Sequence, residues 1–284
     1  MTIALVTGGN RGIGASVAHH LATCGMTVYA GQRNLDNSHG KSIQHNGMRK
    51  VQLDVTDDDS VRAAVDHICD RHGTIDLLVN NAGVAWFAPA EEMSDFVLRT
   101  TMETNFFGAV RCTQAVLPKM RARGHGAIIT ISSLAGTIGL PLESAYCASK
   151  AAIETYHESV RVEMAPFGVK VAVVEPGITE GGLSNSIPDP NAPKSSLYAE
   201  LLEHTFDYYS AAQDERESPK LITDAIDTIL ADASPDFRHP LGDLAPLVKD
   251  IANSPQQKKD SMLTEALQLE FWTARAESPA LSNV

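Results

Sequence analysis

Tyr146 and Lys150 stand four residues apart in the run Ser144-Ala145-Tyr146-Cys147-Ala148-Ser149-Lys150, and Ser133 precedes the tyrosine by thirteen positions. On a helix over residues 145 to 165 the phenol and the ammonium share one face, a single turn apart. A Lys⁺ beside a Tyr favours phenolate, so such a pair can give or take a proton near neutral pH. Two surface side chains of an ordinary helix have the same spacing, so the pair acquires meaning only from its company.

The N-terminus supplies that company. Ile3-Ala4-Leu5-Val6-Thr7 is a short β-rich apolar run, Gly8-Gly9-Asn10-Arg11-Gly12-Ile13-Gly14 follows, and Ala15 to Cys24 reads as a helix. A strand, a glycine-rich turn and a helix N-terminus make an anion site: glycines let the backbone approach a pyrophosphate, and the helix end offers unpaired N–H groups. The spacing departs from G-x-G-x-x-G at its first interval.

These groups must be positioned by the elements around them. Further strand-like runs cover residues 27 to 31, 50 to 53, 76 to 80, 127 to 132 and 169 to 175, alternating with helix-like segments. The alternation predicts βαβ units and a parallel sheet covered on both faces. Ligands of open doubly wound sheets lie beyond the carboxyl ends of the strands, where strand order reverses. The glycine turn, Asn80-Asn81-Ala82-Gly83 and Ser132-Ser133 all fall at such ends and so converge, although asparagine and glycine also suit a simple turn. Residues 91 to 122 predict one long helix bent at Gly108, with Pro118 loosening its last turn. Beyond Pro176, Gly181-Gly182, Pro188, Pro190 and Pro193 mark an irregular loop, residues 197 to 212 a helix rich in Leu, Tyr and Phe, residues 219 to 231 another, and residues 237 to 242 a short seventh strand.

The ordered set Thr7-Gly8-x-x-x-Gly12-Ile13-Gly14, Asp54, Asn80-Asn81-Ala82-Gly83, Asn105, Ser133, Tyr146-x-x-x-Lys150 and Pro176-Gly177 resembles the short-chain dehydrogenase/reductase family, in particular NADP-preferring members of its retinol and steroid dehydrogenase-like branch. The resemblance covers residues 1 to about 180. It implies an α/β fold: a single domain with a Rossmann-type doubly wound parallel sheet of about seven strands and helices on both faces. The dinucleotide-binding catalytic domain is then 1–242, with a substrate loop at about 178–215, and 243–284 is a helical extension packed on it. In the roles it implies, Tyr146 exchanges a proton with the substrate oxygen, Lys150 lowers the phenol pKa and holds the nicotinamide ribose, Ser133 hydrogen-bonds the reacting oxygen, and Asn105 holds a water that links Lys150 to solvent. Cofactor contacts fall on Gly8, Asn10, Arg11, Gly12, Ile13 and Gly14, on Arg33, Asp54 and Val55, on Asn81, Ala82 and Gly83, and on Tyr146, Lys150, Pro176, Gly177, Ile178 and Thr179. Position 181 departs from the family pattern, carrying Gly181 where a threonine often holds the nicotinamide carboxamide; Thr179 is the alternative.

Cofactor choice is read at the end of the second strand, where NAD enzymes place an acid on the ribose diol. Here the residues are Gly31-Gln32-Arg33-Asn34, with Asp36 too late. Gln32 removes repulsion toward a 2′-phosphate, Arg33 offers it a charge-assisted fork, and Arg11 adds a second cation, which favours NADP(H). Trp86, Phe87, Leu134, Leu140, Leu183 and Tyr198 follow the active-site motifs and predict a hydrophobic pocket, although each residue taken alone suits a core equally well.

The chain of 284 residues suffices for one large α/β domain, and its net charge of −12 opposes a nucleic-acid or anionic-membrane partner. There is no signal-like segment and no apolar run of spanning length, which predicts a cytoplasmic protein without a membrane span. Cys24, Cys69, Cys112 and Cys147 are dispersed, predicting reduced thiols, and Cys147 is the one whose alkylation would affect activity. The histidines show no ligand spacing with carboxylates, so no metal is expected. The leading expectation is an NADP-dependent oxidoreductase of a small hydrophobic alcohol or carbonyl compound, paired as a homodimer or homotetramer through the helices at about 91 to 122 and 145 to 165. The alternatives are a 3-oxoacyl-carrier reductase, for which Arg121 and Arg123 offer only a small basic cluster, and a non-catalytic NADP sensor, which leaves Asn105, Ser133, Tyr146 and Lys150 without a purpose.

Overall fold

A computed structural model describes residues 2–35, 47–182, 187–189, 191, 197–211 and 216–277. Asp36, Leu183, Pro190 and Pro193, singled out above, lie outside the described residues.

The chain runs β1 (Ile3–Val6), α1 (Gly12–Thr23), β2 (Thr27–Gln32), β3 (Met48–Gln52), α2 (Asp58–His72), β4 (Leu77–Asn80), β5 (Trp86–Phe87), α3 (Asp95–Met102), α4 (Gly108–Arg123), β6 (Gly126–Ile131), α5 (Ser144–Met164), β7 (Val169–Glu175), β8 (Ile187–Pro188), α6 (Ala199–Ala211), α7 (Lys220–Ala231), β9 (Arg238–Pro240), α8 (Ala245–Asn253), α9 (Gln256–Ala266) and α10 (Glu270–Thr273). Seven strands form one parallel sheet in the order β3-β2-β1-β4-β6-β7-β9, so strand order reverses between β1 and β4, as the alternation of elements predicts. Successive residues of a strand face opposite sides, and both faces are covered. Ile3 and Leu5 join Leu78, Ile128 and Val171 beneath α2, α4 and α5, whereas Ala4 and Val6 join Val79, Ile129 and Val174 beneath α1 and α7. This two-sided burial is why the strands read as continuous apolar runs.

The predicted helix over 91 to 122 is corrected in detail. Ser94 caps α3 by accepting from the Val97 N–H, and a π turn at Glu103–Phe107 joins α3 to α4. Gly108 opens α4, and a Cβ there would lie 2.7 Å from the Val55 side chain, so the glycine permits close packing onto the segment after β3. Pro118 sits inside α4 without ending it. A two-stranded pairing of β5 with β8 and a bridge between Thr179 and Glu217 replace part of the expected irregular loop. Asp189, buried, ties that region to the α3 cap by accepting from Ser94 N and Oγ.

A third apolar cluster lies outside the two sheet faces. Phe87, Leu142, Leu201 and Leu269 form it, with Tyr198, Phe206, Tyr209, Leu267 and Trp272 packed against them. The segment after β9 therefore packs on α6 and on the loop preceding α5.

Candidate active site

The glycine turn is shaped for close approach. Gly8 and Gly12 have positive φ (62° and 53°), a conformation in which a side chain is strained, and a Cβ on Gly14 would lie 2.3 Å from Gly8 O and 2.4 Å from Asn81 Nδ2. Thr7 and Asn81 lock this turn to the end of β4: Thr7 Oγ1 accepts from the Asn81 and Ala82 N–H groups, and Asn81 Nδ2 donates to Thr7 O at 2.9 Å. The Asn-Asn-Ala-Gly stretch is thus a brace between two central strands.

Gly181 explains its own departure from the family pattern. Its φ is 72°, and a Cβ there would meet Gly12 Cα at 2.9 Å; its carbonyl accepts from the Ile13 N–H at 3.3 Å. A threonine does not fit against the glycine turn in this arrangement. Thr179, the expected substitute, is buried and donates its hydroxyl to Gly177 O at 3.3 Å. Pro176 O accepts from Leu134 N, and Ile178 O from Glu217 N, so residues 176 to 178 run between the Ser133 segment and Glu217.

At the end of β2, Gln32 is buried and its Nε2 has no partner among the described residues, while Arg33 and Arg11 are exposed. Asp54 Oδ1 accepts from Thr56 N and Oγ1, and Val55 is buried beside Gly108. The tight glycine turn between β1 and α1, the helix N-terminus behind it and the orphaned Gln32 donor fit a dinucleotide with an oxygen-rich group near β2.

Ser133, Tyr146 and Lys150 come together where β6 ends and α5 begins. Lys150 is buried, donates to Ile131 O at 2.8 Å and lies 5.6 Å from the centre of the Tyr146 ring. Burial pushes its pKa down to about 8, with Glu154 opposing. Tyr146 differs from expectation: burial pushes its phenol well above the ordinary value, and a hydrogen bond from Ser133 pulls only partly back. Desolvation disfavours the phenolate, and Ser133 is the group that opposes it. Asn105, in the π turn, uses both amide hydrogens on Val84 O and Ser149 Oγ and accepts from Val84 N, which ties the β4 end to α5. Its side-chain donors are thereby occupied by protein groups.

Of the expected substrate residues, Leu134 is buried against Gly177, and Trp86 packs edge-on to Phe96 with its indole N–H buried and unpartnered among the described residues. Phe87 is core, flanked by Phe206 and Tyr209, and Tyr198 stacks on Trp272 at 5.5 Å. Leu140 lines a small cleft whose other walls include Glu143, His204, Tyr209, Leu267 and Leu269. Cys147 is buried, and its thiol is pushed up to about 11 by burial, which makes it a poor nucleophile rather than an alkylation target. Folding also brings His20, Cys24 and Asp227 within 4.8 Å of one another at the surface, a grouping that no sequence spacing announces.

The sequence pattern of the short chain dehydrogenase family matches residues 2–192. The chain belongs to that family. It is 34% identical over 270 residues to a 3-ketodihydrosphingosine reductase of Bacteroides thetaiotaomicron, covering 95% of this chain and 97% of the relative. It is 32% identical to a retinol dehydrogenase 8 of Bos taurus, covering 82% and 79% of the two chains. Among solved structures, a short chain dehydrogenase from Burkholderia cenocepacia in complex with NADP superposes with a TM-score of 0.73 at 28% identity, covering 92% and 97%. This short-chain dehydrogenase is an oxidoreductase by family, and no described helix is long and apolar enough to cross a membrane.

Proposed function

We propose that this protein is an NADP(H)-dependent oxidoreductase interconverting a bulky hydrophobic secondary alcohol and its ketone. The observation that carries the reading is the meeting of Ser133, Tyr146 and Lys150 at the strand ends beside the glycine turn. A dinucleotide at the glycine turn is held by Gly8, Gly12, Ile13 and Gly14, and Asn81 keeps that turn in shape. Bound cofactor supplies the hydride that adds to the carbonyl carbon. In that direction Tyr146 gives its proton to the carbonyl oxygen as the hydride reaches carbon. Ser133 donates to the same oxygen as negative charge develops, and buried Lys150 supplies a cation beneath the phenol. In the alcohol-oxidising direction the proton returns to Tyr146.

Preference for NADP(H) is supported by the absence of an acid at position 32, by exposed Arg33 and Arg11, and by the NADP-bound relative. Gln32→Asp is expected to set a carboxylate against the 2′-phosphate and shift kcat/KM toward NADH, while Arg33→Ala weakens NADPH chiefly through KM. Measuring kcat/KM for both cofactors in the unaltered protein comes first; a preference for NADH there removes the reading.

The hydrophobic substrate is supported by Leu134, Leu140, Leu267 and Leu269 and by relatives named for ketodihydrosphingosine and retinol. Apolar walls contribute about 25 cal/mol per Å² of ligand covered. A panel of bulky ketones, acetoacetyl thioesters and polyols tests it: the highest kcat/KM falls to a bulky apolar compound, a thioester in that place returns the carrier alternative, and a polyol there overturns the hydrophobic reading. Self-association is supported by the exposed apolar Phe107 and Val162, the latter 72% exposed on α5. Light scattering at micromolar concentration is expected to give a dimer or tetramer mass; a monomer mass contradicts it.

A further inference from the structure

The face of the sheet covered by α1 and α7 carries a group of side chains that the reaction above does not use. Val17, Ala18 and Leu21 of α1 pack with Ile222, Ile226 and Ile229 of α7 in one apolar cluster, so the two helices are held at a fixed spacing. His20 and Cys24 lie four residues apart on one face at the end of α1, and Asp227 follows Ile226 at the rim of the same contact. About 12 Å of helix separates His20 from Gly12, which sets this rim apart from the dinucleotide cradle.

Three ligand atoms converge there. His20 Nε2 lies 2.8 Å from Asp227 Oδ2 and 3.7 Å from Cys24 Sγ, and the nitrogen, the sulfur and a carboxylate oxygen all fall within 4.8 Å of one another. A tetrahedral zinc ion, with bonds of about 2.0–2.3 Å to N, O and S, holds its ligand atoms roughly 3.4–3.6 Å apart. The nitrogen–sulfur separation already matches, and the nitrogen–oxygen pair has to open by only about 0.6 Å. Side-chain rotation supplies that movement, since the His20 and Asp227 side chains are 28% and 48% exposed. An ion pair between His20 and Asp227 accounts for two of the groups and makes no use of the sulfur beside the same nitrogen. Cys24 is the exposed one of four free cysteines, Cys69, Cys112 and Cys147 being buried, so its thiol is open to an ion from solvent. The rim also lies where α1 ends, the pole of the helix dipole that attracts cations, in a chain of net charge −12.

We propose that His20, Cys24 and Asp227 form a zinc site that clasps the end of α1 to α7, with a water in the fourth position. One thiolate, one imidazole nitrogen and one carboxylate suit a borderline ion such as Zn²⁺, whereas Mg²⁺ and Ca²⁺ take oxygen ligands. On binding, the thiol proton leaves to solvent, the imidazole keeps one proton on Nδ1, and the ion takes the place of the hydrogen between Nε2 and Asp227. Sequence spacing gave no metal because the carboxylate comes from 207 residues farther along the chain. The ion braces the helix that carries the glycine turn and takes no part in hydride transfer.

The test titrates the full-length protein, reduced with a phosphine and free of any polyhistidine tag, with ZnCl₂ by calorimetry. One ion per chain is expected, with a Kd of about 1 μM or tighter and no binding of MgCl₂. Cys24→Ser, Asp227→Asn and His20→Gln are each expected to weaken zinc binding by at least about tenfold, and saturating zinc is expected to slow the reaction of the exposed thiol with a disulfide reagent by a similar factor. Cobalt(II) is expected to give a thiolate-to-metal charge-transfer band that Cys24→Ser removes. At about a hundredfold excess over Kd, zinc is expected to raise Tm by about 5 °C, and by less in each variant. Circular dichroism melting without metal shows whether each variant is folded; if one is not, thiol protection and the cobalt band in the unaltered protein decide. No zinc binding at about 100 μM overturns the site. The chain has ten histidines, so adventitious binding is the rival outcome: affinity unchanged by Cys24→Ser and Asp227→Asn, or lost only with His20→Gln, shows a lone histidine contact and overturns the site as well.

Discussion

Tyr146→Phe is expected to lower kcat by about 10²–10⁴-fold while leaving NADPH affinity within about threefold. The ring is half-buried on the first turn of α5 and packs the same way without its oxygen, so the fold and the cofactor cradle at Gly8 to Gly14 are untouched. What is lost is the phenolic proton beside Lys150. The measurement is turnover of the best ketone in the panel alongside NADPH binding by fluorescence. Near-normal kcat removes Tyr146 from the chemistry. Loss of both turnover and binding assigns it to the fold instead.

The second large effect concerns stability. Arg238 on β9 pairs with Glu154 of α5 and, at 2.6 Å, with Glu175 of β7; the side chains of these acids are 2% and 4% exposed. Glu154 also accepts from Ser132 Oγ, so the group forms the wall behind the Ser133 segment. Arg238→Ala leaves two buried carboxylates without their cation, which costs about 3 kcal/mol, the low end for a broken buried pair because the arginine is itself partly exposed. Burial already holds Glu175 above its ordinary 4.5 with Arg238 present, and losing the arginine raises it further. Acids raised in the folded state weaken folding as pH rises and cost little where they are protonated in both states. The deficit, measured by urea unfolding, is therefore greatest at neutral pH and shrinks as pH falls toward 4.5. A deficit below about 1 kcal/mol at pH 7, or one that grows on acidification, shows that the pair contributes little.

Much of the architecture was legible because a parallel sheet buried on both faces leaves a local record. The inner strands β1, β2, β4, β6 and β7 are largely apolar runs and lie within a residue or two of where the pattern places them, whereas the edge strand β3 carries Arg49 and Lys50. The glycine turn was legible for a related reason: Gly8, Gly12 and Gly14 are dictated by backbone conformation and close approach, which only glycine satisfies. The π turn at Glu103–Phe107 left no such trace, because its residues suit an ordinary helix and the extra residue is accommodated by what Asn105 must reach on Val84 and Ser149. β5 and β8 were missed because two-residue strands are too short to carry a period.

By itself the amino-acid sequence determined the strand and helix alternation, the glycine cradle and the Ser133, Tyr146 and Lys150 spacing, all of which depend on backbone geometry within a few residues or on the end of a strand. Tertiary structure decided the electrostatics. Burial raises the Tyr146 phenol's pKa and Ser133 opposes it; Gly181 stands where a threonine is usual because Gly12 lies against it; Glu143 is buried where Leu142 is held in a left-handed turn by Ala88 and an apolar cluster that spans residues 87 to 272. Desolvation and close packing sum over neighbours distant in the chain, and no local pattern encodes that sum.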